Sequence, residues 1–370
     1  MKVAFITNGL KSGGAEMMLY KILSHLDRER IECEVINIRP PGPVQKLIES
    51  MDIPVHSLGW NSLGRAFFGL YRLRRLLQKS RPNLIHSWTY YGNLGATIAT
   101  RAMGEAEPPL VWGIRFTLKD LSYEKPSTRW LIRQSRKLSR IPKAILYDSE
   151  AGRRDHESIG YPHETGRVIP NGIDFDLWQI DPAARNEVRS ELGVGPDCFL
   201  IGMVNRVHPS KDHRTFLAAA QAFMERHPNA HFVVAGSGTE TLNGEDFKDK
   251  LHRLGHRSDV GRVMAALDLH SCASRTESFP NVVLEALACG VLSTVSKVGD
   301  APKLVPDDRF VVPPASPSAL AEAWDQIAAM PSADRAALAC DFRKAAMEQY
   351  SIARIAATYQ SVYEDLARRN

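Results

Sequence analysis

The 370-residue chain holds no stretch near the roughly 18 consecutive apolar residues that a membrane-spanning helix needs. It is therefore not expected to cross a bilayer as a helix. The opening run Met1 to Thr7 is too short for the apolar core of a signal peptide, and no small-residue cleavage site follows it, so export is not expected either. Cysteine is scarce: five residues, an odd number, none in a C-x-x-C pair. That argues against a disulfide framework or a zinc site and for reduced thiols in the cytoplasm. Internal repeats and low-complexity tracts are missing as well.

What is present reads as an ordinary globular protein. Hydrophobic residues make up 44% and charged residues 24%, values that exclude a disordered or coiled-coil chain. At roughly 150 residues per domain, two domains are expected. The net charge of +5 is unevenly spread: residues 1–170 carry 26 Lys+Arg against 16 Asp+Glu (+10), leaving 21 against 26 (−5) for the remainder. A basic half of this kind attracts polyanions or an anionic membrane face.

Strand-like and helix-like segments alternate. Strands are expected at Val3–Thr7, Cys33–Ile38, Val55–Leu58, Leu84–Ser87, Leu110–Gly113 and Ala144–Asp148, with amphipathic helices between them, one running from Leu63 to Leu77. The pattern restarts with strands at Phe199–Val204, His231–Ala235, Leu269–Cys272, Val291–Val295 and Phe310–Val312. Helices are expected at Thr215–Arg226, Val263–Leu267 and Pro280–Ala288. Such alternation means parallel sheets covered on both faces. The fold class is therefore α/β, with two doubly wound, Rossmann-like domains. The expected division is 1–168, 169–348, and a tail helix in 349–370 with Ile352, Ile355, Tyr359, Val362 and Leu366 on one side. Ligands bind such sheets beyond the carboxyl ends of the strands, so a cleft between two facing domains is the expected site.

Three segments carry chemistry. Gly9 to Glu16 joins the first strand to the first helix, and Gly13 and Gly14 let backbone N–H groups approach an anion at a helix N-terminus. The segment fits neither the G-x-G-x-x-G fingerprint nor a P-loop. Arg206 and Lys211 follow a buried strand, where a guanidinium fork and an ammonium can clamp a diphosphate. The third segment runs from Ser274 to Gly290. Ser278 is expected to cap a helix with Pro280 near its first position and Gly290 ending it. Glu277 then sits before the helix and Glu285 inside it, with Phe279, Pro280 and Asn281 at its positive end. One carboxylate can accept from sugar hydroxyls while the other holds a ribose diol.

With these residues in place, the sequence resembles the GT-B glycosyltransferases of family 4, whose signature is Glu-x7-Glu. The likeness extends through Gly13-Gly14-Ala15-Glu16, Pro170-Asn171-Gly172-Ile173-Asp174, Arg206, Lys211, Gly236-Ser237-Gly238, Leu254 to Val260, and Glu277 to Glu285. More narrowly it is similar to bacterial O-antigen and surface-polysaccharide transferases. The resemblance implies that Arg206 and Lys211 hold the donor diphosphate, that Glu285 binds the ribose, and that Glu277 with the backbone of Phe279 to Asn281 binds the transferred sugar. It implies that the region of Arg257 flanks the base, and that Gly13 and Gly14 approach the diphosphate from the other domain. It further implies a tail helix crossing back onto the N-terminal domain, retention of configuration, and no cofactor or metal.

Where many relatives carry a histidine after the strand at Val111, this chain has Arg115 and Phe116. The contact to sugar or acceptor is then expected from Arg115 or His86. Asp174-Phe175-Asp176 imitates a metal-binding Asp-x-Asp but lies at the interdomain turn, so no metal is expected there. The donor is expected to be a nucleotide sugar, a UDP-sugar, and the acceptor lipid-linked or an oligosaccharide; no nucleic acid is expected as a partner. Competing readings are a nucleotide-sugar 2-epimerase, a transferase acting on a soluble small molecule, and a non-catalytic binding subunit. The cations Arg72, Arg74, Arg75, Lys79 and Arg81, with Arg129, Arg133, Arg136, Lys137 and Arg140, point to peripheral docking at the cytoplasmic face of an anionic membrane.

Overall fold

Most of the short apolar runs become strands buried on both faces in the computed structural model, which describes residues 1–11, 13–60, 66–104 and 107–368; those at Val55 and Val311 are only partly buried. The chain forms two compact units, one of Met1–Gly172 with Ile352–Asn370, the other of Ile173–Ser351. The first crossing thus lies a few residues beyond 168, and the return a few beyond 348.

The first unit holds β1 (Lys2–Thr7), β2 (Glu32–Asn37), β3 (Val55–Ser57), β4 (Leu84–Trp88), β5 (Leu110–Ile114), β6 (Ala144–Tyr147) and β7 (Gly166–Val168). All pair in parallel, in the order β3-β2-β1-β4-β5-β6-β7. Its helices are α1 (Gly14–His25), α2 (Pro43–Glu49), α3 (Ala66–Ser80), α4 (Thr89–Arg101), α5 (Pro126–Leu138) and α6 (Glu150–Ser158). Alternate side chains of β1 serve opposite faces, as a period of two requires. Val3 and Phe5 join one hydrophobic cluster, Ala4 and Ile6 another. Leu63, expected to start the third helix, lies outside the described residues.

The second unit begins with α7 (Pro182–Glu191). It carries β8 (Leu200–Val204), β9 (His231–Ala235), β10 (Leu251–Gly255), β11 (Leu269–Cys272), β12 (Ser293–Ser296) and β13 (Val311–Val312). These too are parallel, in the order β10-β9-β8-β11-β12-β13. Helices α8 (His213–Arg226), α9 (Val260–Ala266), α10 (Asn281–Ala288), α11 (Ala301–Leu304), α12 (Pro317–Ala328) and α13 (Ser332–Tyr350) complete it.

Ser351 breaks the helical path with extended backbone, and α14 (Ile352–Arg368) then packs on α1 and β4 of the first unit. All five residues expected on its inner side, Ile352, Ile355, Tyr359, Val362 and Leu366, are buried in one cluster with Phe5 and Trp88. The tail is therefore part of that unit's core.

Three histidines are wholly buried: His86 and His156 in the first unit, His270 in the second. Desolvation, with Arg115 adding to it, holds His86 well below the usual imidazole range. Desolvation likewise takes His156 down to about 4 and His270 to about 3. The unfolded chain takes up these protons near pH 6.5 and the folded chain does not. Stability is therefore full above about pH 7 and falls as the pH drops through 6 toward 4. Each histidine contributes up to about 1.4 kcal/mol per pH unit over that window. Urea midpoints measured from pH 8 to pH 4.5 are expected to decline, and to decline less in His270→Asn.

Candidate functional site

In a parallel sheet every strand points the same way, so the loops at the carboxyl ends emerge along one edge. In the second unit the strand order reverses between β8 and β11, the position where doubly wound sheets bind ligands. Arg206 and Lys211 follow β8, and Glu277 follows β11. The strand ends thus place three of the sequence-expected residues at the switch point.

Local structure fixes the β8 loop. A single 3-10 turn over Pro209–Lys211 is capped by the His208 side chain, which accepts from Ser210 N. Asp212 then takes a left-handed conformation, φ 55°, and caps α8 by accepting from Thr215 N and Thr215 Oγ1. The turn aims Lys211 at the β11 loop. Its Nζ donates to Glu277 Oε1 at 2.5 Å. Burial works against the ammonium charge, but Glu277 outweighs it, and the Lys211 pKa is raised. Arg275 reinforces the junction: its Nε donates to Asp212 Oδ2 at 2.8 Å and its backbone N to Ser210 O at 2.8 Å. Arg206 stays exposed.

Neighbouring loops close in around these two. Gly236, after β9, has φ 134°, and a Cβ there would overlap the Asn205 carbonyl oxygen. Val207 N donates to Ser237 O at 2.8 Å. Gly299, φ 55°, lets the segment after β12 pass the backbone of Glu277 and Ser278, and Asp300 N donates to Ser278 O at 3.0 Å.

Helix α10 starts one residue later than expected, with Pro280 as its N-cap. Ser278 is not the cap, because the proline between them turns the chain and Ser278 O is bound by Asp300. Gly290, φ 72°, ends the helix as expected. Glu285 lies on the partly exposed side of α10. The Phe279 ring packs against Tyr350 with centroids 5.6 Å apart, and Pro280 is buried beside it. Asn281 opens the helix, partly exposed.

Residues 12–177 match the model of Glycosyltransferase Family 4, and residues 198–329 match that of Glycosyl transferases group 1. The chain is a glycosyltransferase of this two-domain family. It is similar to EpsF of Bacillus subtilis (strain 168), provisionally named a glycosyltransferase, with 23% identity covering 80% of this chain and 79% of EpsF. It is 27% identical to the Escherichia coli UDP-Gal:alpha-D-GlcNAc-diphosphoundecaprenol alpha-1,3-galactosyltransferase, covering 64% of this chain and 63% of that protein. Among solved structures, Anabaena HepE in complex with UDP-glucose superimposes with a TM-score of 0.81 at 23% identity, over 99% of this chain and 100% of that one. The fold is that of the GT-B glycosyltransferases.

Three expected site residues of the glycosyltransferase are engaged by the protein itself. His86 has no exposed surface: its Nδ1 lies 2.7 Å from Tyr363 Oη, and its ring stacks on Tyr359 and meets Trp88 and Tyr363 edge-on. It is a core residue of the first unit, because the tail helix covers the end of β4, and it cannot touch a sugar from there. Arg115 is engaged as well. It lies over the Trp88 ring at 4.1 Å, donates to Asn171 Oδ1 at 2.6 Å, and donates to Tyr359 Oη. Those contacts hold the guanidinium against the protein. Arg257 is forked onto Asp259 (2.7 and 2.8 Å) and Glu191 (2.6 Å), so its charge is already matched.

Gly13 caps α1, and the Glu16 carboxylate folds back against it. Burial raises the Glu16 pKa. Gly14 opens the helix. Asp174 Oδ1 accepts from Asp176 N (2.9 Å) and Leu177 N (3.2 Å), an Asx turn that accounts for the first carboxylate of the Asp-x-Asp imitation.

Sequence reasoning passed over Ser274, Arg275, Asp212 and Gly299. Only the left-handed glycine had a local signature, and one glycine among 25 carries no message about its partner. Gly299→Ala is expected to push the β12 loop off Glu277 and Ser278. Binding of a sugar nucleotide should weaken at least tenfold in titration calorimetry, with the thermal midpoint lowered as for a strained left-handed substitution.

Proposed function

We propose that this glycosyltransferase moves a hexosyl group from a UDP-sugar to a hydroxyl of a lipid-linked or oligosaccharide acceptor in the synthesis of a bacterial surface polysaccharide. The transfer proceeds with retention and without a metal. The observation that carries the reading is the convergence of Lys211 and Glu277 at the β8/β11 switch point, with Arg206 exposed beside them. HepE, solved with UDP and with UDP-glucose, supports uridine as the base. The undecaprenol-linked substrate in the Escherichia coli enzyme's name supports the acceptor class.

In this mechanism the bond from the anomeric carbon to the diphosphate breaks while the acceptor oxygen bonds the same face. The acceptor proton passes to the departing phosphate oxygen. No protein carboxylate is spent as a nucleophile, so the enzyme works by positioning and by stabilising charge on the leaving group. Arg206 supplies a fork to that charge. Lys211, paired with Glu277, shares its ammonium with the arriving diphosphate. Glu285 accepts from the ribose diol, Glu277 from the sugar, and the backbone of Phe279 to Asn281 adds donors at the start of α10.

Thermal protection by UDP, GDP and dTDP sugars identifies the donor, since ligand at 100 times its Kd raises stability by about 2.7 kcal/mol. Arg206→Ala is expected to lower turnover about 10²-fold with little loss of stability. Lys211→Ala loses a similar factor and also stability, because Glu277 is left without its countercharge. Glu285→Gln weakens UDP and the intact donor alike, whereas Glu277→Gln spares UDP. Equal losses for both ligands in both variants contradict this division.

We further propose that the first unit docks on anionic lipid at the cytoplasmic face. No described helix is long and apolar enough to cross a membrane. Helix α4 packs between α3 and α5. Across these three, Phe68, Tyr71, Ile98 and Trp130 are exposed at 62%, 51%, 49% and 59%. Arg72, Arg75, Lys79, Arg129, Arg133, Arg136 and Lys137 are exposed among them. Aromatic groups insert at headgroup depth while each well-placed cation adds about 1 kcal/mol. Flotation with anionic vesicles at low salt is expected to carry the enzyme, and high salt, neutral vesicles or Trp130→Ser to release it. Absence of binding at low salt leaves a soluble acceptor as the better reading.

A further inference from the structure

Ser274 is three residues ahead of Glu277, wholly buried, and its Oγ donates to Glu277 Oε1 at 2.7 Å. Lys211 Nζ donates to the same oxygen at 2.5 Å. A carboxylate oxygen has two lone pairs, so Oε1 is filled by the protein. Oε2 has no hydrogen-bond partner among the described residues, and the side chain keeps 9% of its surface exposed. The hydroxyl proton of Ser274 is committed to Glu277, which leaves the Ser274 oxygen to accept. Cys272 Sγ lies 3.7 Å from it, and burial pushes that thiol up to about 11, keeping its proton in place. The chain of donors runs from Cys272 through Ser274 into Glu277 and is met there by Lys211.

We infer that Ser274 is a positioning residue for transfer: it locks the rotation of the Glu277 carboxylate, so that Oε1 faces the protein and Oε2 alone faces the sugar. A carboxylate on a free torsion presents either oxygen in a broad two-fold distribution; pinned by two donors from different directions, it presents one. Lys211 alone leaves a swivel about a single contact, and Lys211 is also the group that a diphosphate draws upon. Ser274 is a neutral donor inside the protein and keeps its hold when the ligand arrives. The inference rests on the reading that Glu277 meets the sugar.

The test uses UDP and UDP-glucose with five forms of the full chain: wild type, Ser274→Ala, Ser274→Thr, Glu277→Gln and the Ser274→Ala/Glu277→Gln double variant. Ser274→Ala is expected to lower kcat/KM for UDP-glucose at least tenfold, the scale of a hydrogen bond to a charged group, while the Kd for UDP stays within twofold. Ser274→Thr, which restores the hydroxyl, is expected to recover most of that loss. The double variant is expected to be no worse than Glu277→Gln, since Ser274 acts only through that carboxylate. Additive losses in the double variant, or parallel losses of UDP and UDP-glucose binding in Ser274→Ala, overturn the inference. A Glu277→Gln enzyme with wild-type kinetics overturns the sugar-contact reading itself. Loss in Glu277→Gln with none in Ser274→Ala overturns only the role of Ser274.

Discussion

Glu277 Oε1 is where two loops of the second unit meet. It accepts from Lys211, carried by the loop after β8, and from Ser274 in its own loop after β11. The strands are neighbours only because the sheet order reverses there. Without that reversal, Lys211 and Glu277 would leave separate strand ends with no reason to converge. Around this contact the Asp212–Arg275 pair and the Arg275–Ser210 backbone bond repeat the link. The loops therefore present their charges at a fixed spacing, as electrostatic catalysis requires.

The two units use charge differently. In the second unit, cations that look available in the sequence are matched: Lys211 by Glu277, Arg275 by Asp212, Arg257 by Asp259 and Glu191, Arg189 by Asp268. Arg206 remains exposed. In the first unit, the cations of α3 and α5 stay at the surface among exposed aromatic rings. A matched cation sets geometry and an unmatched one attracts an anion, so the first arrangement suits a site and the second suits a surface.

The tail helix joins sequence ends into one core. Tyr359 accepts from Arg115, just past the carboxyl end of β5, and Tyr363 bonds His86 in the middle of β4. A cation stacked on Trp88 and bonded to Asn171 ties the end of the first unit's chain to its middle. Two residues that could have faced a substrate thus take part in holding the unit together, His86 wholly buried and Arg115 partly exposed.

The sequence by itself determined the alternation of strands and helices, the two-unit organisation, the buried face of α14 and the residues at the β8 and β11 ends, because period-two burial and helix punctuation are local signals. Two of the four edge strands were not legible: β7 and β10 are only partly buried, so apolar patterning does not demand them. Tertiary structure alone decided the partners. Lys211 and Glu277 are 66 positions apart, and His86 and Tyr363 are 277 apart. No local rule couples residues at such separations; strand order and helix docking do. The same holds for Arg115 and Arg257. A lone cation in a sequence is an unspent charge, and only the folded chain shows whether a neighbouring carboxylate, hydroxyl or ring has already taken it up.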